Sequence, residues 1–145
     1  MSITETKKII NMLLYYVTSF SNCKRTKTIA LIVRRGKVIS AGYNYSDECE
    51  NNKCKRSSFP DGDRYDLCPA VHAETMAISN ASKFGIRVEG ADLFLYSRKA
   101  KSGKTVARGP CMQCWSIIKQ AGIDEVYVII STKGGEITYE KPRHG

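Results

Sequence analysis

Two short stretches, His72-Ala73-Glu74 and Pro110-Cys111-Met112-Gln113-Cys114, decide how the rest of the chain is read. Between them they carry one imidazole, one carboxylate and two thiols. Each falls at the start of a segment with helical spacing. From Ala70 to Phe84 the apolar residues Val71, Ala73, Met76, Ala77 and Ala81 repeat on one face, and Gly85 supplies a stop signal. Pro110 suits the first position of a second helix running to about Ala121, closed by Gly122. The apolar run Ala91 to Ser97 (ADLFLYS) lies between these helices, and Glu125 to Ile130 (EVYVII) follows the second. A strand, a helix and a second buried strand in that order predict a parallel pair joined by a right-handed crossover.

Working outward, Ile3, Ile9, Ile10, Leu13, Leu14, Val17 and Phe20 form one face of an amphipathic N-terminal helix, ended by Ser21-Asn22. Thr28 to Val33 (TIALIV) and Val38 to Tyr43 flank the turn Arg34-Arg35-Gly36-Lys37 and read as a hairpin. Asn44 to Pro69 is polar and aperiodic, longer than a loop in a compact domain usually runs. Arg98 to Gly109 reads as a basic loop. At the C-terminal end, Thr132-Lys133-Gly134-Gly135 is a turn, Glu136 to Glu140 a returning antiparallel strand, and Lys141 to Gly145 a frayed tail. The element order αββαβαββ predicts a single domain over 1–145, a three-layer α/β/α fold around a five-stranded mixed sheet.

With 145 residues, the chain is long enough for one hydrophobic core. Its 42% hydrophobic and 26% charged content is that of an ordinary soluble domain. The net charge of +9 favours anionic partners, although the basic residues are scattered, as on a solvated surface. The apolar stretch near the N-terminus is interrupted by Asn11 and Thr18 and lacks a small-residue cleavage site, so it does not read as a signal peptide. No run is long enough to span a membrane. A cytoplasmic, reducing setting is therefore expected, where the six cysteines are metal ligands more readily than disulfides.

His72, Cys111 and Cys114 form a three-ligand set for zinc, which leaves the fourth position for water. Cys111 and Cys114 are three apart, so their sulfurs face the same way in a first helical turn. Helix N-termini favour the thiolate form. Two thiolates balance Zn²⁺, which acidifies a bound water towards neutral pKa. Glu74 is not needed as a ligand and suits a proton shuttle. The Ala73 N–H is a candidate donor to a base carbonyl. Taken singly, H-x-E at a helix start is more often a cap and a surface charge, and P-C-x-x-C is also half of a structural zinc site or a redox pair. Together, at two helix starts, they form one constellation.

That constellation resembles the zinc-dependent cytidine/deoxycytidylate deaminase superfamily, whose signature pairs H-x-E with P-C-x-x-C. The resemblance covers nearly the whole chain. Gly36 to Asn44 (GKVISAGYN) is similar to the family's first hairpin, His72 to Ile78 (HAETMAI) to its first zinc helix, and Gly109 to Cys114 with Gln120 to Val126 (QAGIDEV) to its second zinc helix and following strand. It implies a cytidine-deaminase-like fold and hydrolytic removal of ammonia from a free cytosine nucleotide, with dCMP giving dUMP. His72, Cys111 and Cys114 are then the zinc ligands, Glu74 the catalytic residue, and Asn44 a contact to sugar or base. Deoxycytidylate deaminases also often carry a structural zinc near the substrate loop. Cys23, Cys49, Cys54 and Cys68 are the cysteines left for a second zinc here; their alternative state is free, partly buried thiols.

Two features depart from the deoxycytidylate pattern and look more like the small nucleoside deaminases. The G-Y-N-G-x-P-x-G run is broken, since Tyr45-Ser46-Asp47 follows Asn44, and a basic loop precedes the second zinc helix. In that loop Lys101, Lys104 and Arg108 are candidate phosphate contacts. The competing readings are a free cytidine deaminase, an enzyme editing cytosine or adenine in single-stranded DNA or RNA, and a non-catalytic zinc module. The aromatics show no stacking pattern for a nucleic-acid strand, and a structural module has no use for Glu74. The preferred partner is a small nucleotide, with no membrane, and the resemblance implies a homo-oligomer.

Overall fold

The computed structural model describes Lys8, Asn11 and residues 18–60, 63–131 and 138–141. Strands β1 (Thr26–Arg34) and β2 (Lys37–Tyr43) form the hairpin, β3 (Asp92–Lys99) and β5 (Val126–Ser131) the central pair, and β6 (Thr138–Glu140) the edge. The order across the sheet is β2-β1-β3-β5-β6, and the two-residue strand β4 (Thr105–Val106) pairs with β3 off this path. β3 and β5 are parallel, as the strand–helix–strand reading required, and the other pairs are antiparallel. The mixed five-strand path is therefore as expected, while β4 sits inside what the sequence presented as a basic loop. The expected N-terminal helix lies almost wholly outside the described residues, as do the turn at 132–135 and nearly all of the tail.

β1 shows why the sheet is central. Ile29 through Val33 are all buried. Side chains alternate across a strand, so Ala30 and Ile32 face one side and Ile29, Leu31 and Val33 the other. The first pair packs with Leu93, Leu95 and Ile118 and with Ala73, Ala77 and Ala81. The second set packs with Phe94, Tyr96 and Ile129. A run buried on both faces marks a sheet covered on both sides. The hairpin turns on Arg35 and Gly36, both at positive φ (49° and 79°), the backbone that a tight two-residue hairpin requires.

Helices α1 (Ala73–Lys83) and α2 (Met112–Gln120) lie on one face of the sheet. Both start later than the sequence suggested. His72 and Cys111 are the N-caps, with extended ψ of 151° and 169°, and Pro110 precedes the cap instead of opening the helix. α1 sits against β2 with almost no spacer. A Cβ on Gly42 would stand 2.3 Å from the Ala73 carbonyl oxygen and 2.4 Å from the Ala77 nitrogen. Only glycine permits that backbone-to-backbone approach.

The long segment after β2 is closed at its base. Tyr45 and Val71 exchange two backbone hydrogen bonds of 3.2 and 3.0 Å, so residues 46 to 70 leave and return at one point. Between them the chain forms short 3₁₀ turns at Asp47–Cys49 and Tyr65–Leu67. This is a closed surface loop, tied also to the segment before β1 by Asn22, Lys24 and Arg25.

Candidate active site

The two helix N-termini bring their chemistry together. His72 Nδ1 lies 3.3 Å from Cys114 Sγ and 3.6 Å from Cys111 Sγ. The ligand atoms of the three residues all fall within 4.8 Å of one another, the one such group among the described residues. Donors bonded to a tetrahedral zinc at about 2.0–2.3 Å stand roughly 3.3–3.8 Å apart, so the set fits that ion. The geometry follows from capping. An N-cap side chain reaches back over the third helical residue, as in a capping box, and Cys111 and Cys114 occupy those two positions. Cys114 is buried and Cys111 half-buried.

Glu74 is the second residue of α1 and 6% exposed. Burial pushes its carboxyl above the usual range, opposed by its own backbone N–H and by His72 and Cys114 beside it. Burial also raises the Cys114 thiol, and the neighbouring Glu74 carboxylate and Cys111 sulfur raise it further. Two sulfurs and a carboxylate packed together repel as anions; a divalent cation between the sulfurs supplies the compensating charge.

These residues open into a cavity of about 300 Å³. Asn44, Ala73 and Arg108, the candidate substrate contacts, are among the residues that line it. Asn44 is also a brace. Its Oδ1 accepts from the Thr28 backbone N–H at 2.9 Å and from the Ser21 hydroxyl at 2.5 Å, and its Nδ2 donates to the Thr26 carbonyl at 2.8 Å. One Nδ2 proton then remains for a ligand. Arg108 is exposed at the rim. Lys101 lines a different cavity with Lys24, Lys53 and Lys99.

Several cavity residues escaped the sequence reading. Thr28 and Ser97, hydrogen bonded to each other at 2.9 Å, come from neighbouring strands. Arg25, Arg56 and Tyr65 come from the end of the segment before β1 and from the long loop. Tyr65 stands edge-on to His72, ring centroids 6.1 Å apart. No periodicity or motif marks these positions; the cysteine-rich composition around them was the one available signal.

The chain matches the cytidine and deoxycytidylate deaminase zinc-binding region over residues 3–130. The chain belongs to this family. Among curated proteins, the chain is 35% identical over 112 residues to ComE operon protein 2 of Bacillus subtilis, covering 74% of this chain and 50% of that protein. It is 31% identical over 112 residues to deoxycytidylate deaminase of Saccharomyces cerevisiae, covering 74% of this chain and 32% of that one. The chain thus spans half or less of these two relatives. Among solved structures, the apo dCMP deaminase of cyanophage S-TIM5 superposes with a TM-score of 0.62 at 26% identity, covering 92% of this chain and 89% of that one. The deaminase-like α/β fold expected from sequence is thereby shown, and the family's zinc-binding character agrees with the His72–Cys111–Cys114 cluster. Among the described residues no helix is long and apolar enough to cross a membrane.

Proposed function

We propose that the chain is a zinc-dependent deaminase domain that hydrolyses a free cytosine nucleotide, dCMP to dUMP, releasing ammonia. One observation carries the reading: a buried carboxylate, Glu74, beside a three-donor zinc set at the bottom of a cavity of about 300 Å³. A structural metal site closes its fourth position and needs no adjacent carboxylate. When bound, zinc supplies a water acidified to near neutral pKa. Glu74 would move two protons in turn, one from the water to the ring nitrogen, where it stays in the product, and a second from the oxygen added at the ring carbon to the amine that leaves as ammonia. Its raised affinity for a proton suits both transfers. The Ala73 N–H, first in α1, is placed to donate to the base carbonyl. The remaining Asn44 Nδ2 proton is placed to hold the sugar.

A second, structural zinc belongs to the same proposal. Cys23, Cys49, Cys54 and Cys68 line one cavity of about 400 Å³. Burial raises the Cys49 thiol, and the sulfurs of Cys68, Cys23 and Cys54 raise it further, so the four groups share one neighbourhood. A tetrahedral ion would draw them inward and couple metal binding to loop folding. The domain acts as a homo-oligomer in the cytoplasm in this reading, and light scattering on the purified chain tests the assembly.

Turnover decides the function. Purified, zinc-loaded protein is offered dCMP, CMP, deoxycytidine, cytidine and a cytosine-containing single strand, with ammonia release as the readout. dCMP is expected to be the best substrate. Turnover of the strand alone would replace this reading with nucleic-acid editing, which the basic cavity of Lys24, Lys53, Lys99 and Lys101 favours.

A further inference from the structure

Among the described residues, Arg56 is the one buried cation, 7% exposed. Its Nε donates to the Asp63 carbonyl at 2.8 Å, and its guanidinium carbon sits 4.2 Å from the Tyr65 ring centroid. Its own carbonyl accepts from Arg25, which fixes the backbone beneath it. No carboxylate among the described residues pairs with it, and its two terminal nitrogens have no protein acceptor there. No described side-chain nitrogen or oxygen is both fully sealed and unpaired, so these terminal nitrogens reach open space. Arg56 lines the candidate catalytic cavity together with Tyr65, His72 and Glu74, and it also forms part of the wall shared with the neighbouring cysteine-lined cavity.

A buried guanidinium without a counter-charge is costly unless an anion completes it. Arg is suited to one kind of anion, since its planar fork matches phosphate and carboxylate in a two-bond geometry. Stacking on Tyr65 and the Nε bond to Asp63 hold the fork in one orientation, so little rotamer freedom is left to lose on binding. The position is also fitting. Tyr65 is a neighbour of both Arg56 and His72, its ring 6.1 Å from the imidazole and 4.2 Å from the guanidinium carbon. The guanidinium and the imidazole thus flank one aromatic ring in the wall of one cavity, so a single ligand can reach both.

We propose that Arg56, stacked on Tyr65, is the specificity-determining residue that binds the phosphate on the substrate's sugar, so that the cavity takes nucleoside phosphates in preference to nucleosides. The proposal rests on the deaminase reading for the identity of the base and deepens it. Arg108 reaches the same cavity but is exposed, and a hydrated rim cation contributes little to such a choice.

Calorimetric titration of the zinc-loaded protein with dUMP and with deoxyuridine separates the two readings, because it needs no turnover. Wild type binds dUMP at least tenfold more tightly. Arg56→Ala lowers that preference by roughly ten- to a hundredfold, and in steady state it raises KM for dCMP with little change in kcat. Arg56→Lys restores part of the preference, and it carries the test should Arg56→Ala not fold. Equal weakening of both ligands would reduce Arg56 to a structural role, and unchanged dUMP binding, or a wild type blind to phosphate, would also overturn the proposal. A dUMP preference lost in Arg56→Ala, in a protein that releases ammonia from no cytosine compound, would sink the deaminase reading and uphold the assignment of Arg56.

Discussion

Two groups of cysteines in this chain meet very different local conditions. Cys111 and Cys114 stand on a helix N-terminus and face His72 on another, with donor atoms already at the spacing that a small ion requires. Cys23, Cys49, Cys54 and Cys68 stand on turns and loop segments around a cavity of about 400 Å³, and they do not form a three-donor group within 4.8 Å. In the first case the backbone hydrogen bonds of two helices fix the donors before any ligand arrives. In the second, no regular element sets the spacing, so the ion itself has to organise the loop. The contrast teaches that a site can be built by secondary structure or by its ligand, and that the two respond differently to damage.

The sharpest way to break the comparison is to remove a helix-borne donor. Cys114→Ser is expected to lose the catalytic zinc and at least 10³-fold in kcat, with the rest of the fold retained by circular dichroism. Glu74→Gln is expected to lose about 10²–10⁴-fold while elemental analysis still finds the catalytic zinc. Retained activity in that variant would end its role as shuttle.

At the loop, Cys54→Ser is expected to lower the metal count from two per chain to one and to raise KM for dCMP through Arg56, two residues away, with kcat changed less than threefold. A parent protein that carries one zinc would rule out the second site. Next in size, Gly42→Ala forces a methyl into the carbonyl of Ala73. About 1–3 kcal/mol of stability should be lost, read by denaturant melts, with kcat falling as α1 shifts.

The smallest effect is a control that touches neither group of cysteines. Asp92 sits at the start of β3, and burial raises its carboxyl above the usual range. The folded chain then binds that proton more tightly than the unfolded chain does. Stability falls as pH rises from the ordinary carboxylate value through the raised one. Asp92→Asn removes that loss, so its Tm advantage over the parent should grow across this window and stay flat above it. An advantage confined to more acidic pH would contradict the sign.

How far the sequence could be read follows the same division. His72, Glu74, Cys111 and Cys114 were legible because H-x-E and P-C-x-x-C match the family's signature, and helix periodicity puts both motifs at helix starts. Pro110 departs from the expectation, because proline opening a helix and proline just before a cap look alike in sequence. The parallel pairing of β3 with β5 was legible because its connection contains a helix. β4 was not, since two residues of a basic loop carry no strand pattern. Arg56 and Tyr65 were invisible as site residues. Their placement comes from the Tyr45–Val71 closure and from stacking within the loop, contacts between residues with no common period.

Gly42 has a consequence for how such a domain tolerates change. Because β2 touches α1 through main-chain atoms, no side chain there acts as an adjustable shim. The reacting end of the cavity is a fixed datum, and substitutions elsewhere in the core cannot easily nudge it. The end that carries Arg56 hangs on a loop anchored by the Tyr45–Val71 closure and by Asn22, Lys24 and Arg25, none of which belongs to α1 or β2, so it can be recut without moving that datum. In the proposed reading chemistry and selectivity are thus mechanically separable, and a library confined to residues 46 to 70 should change what is deaminated long before it changes whether anything is.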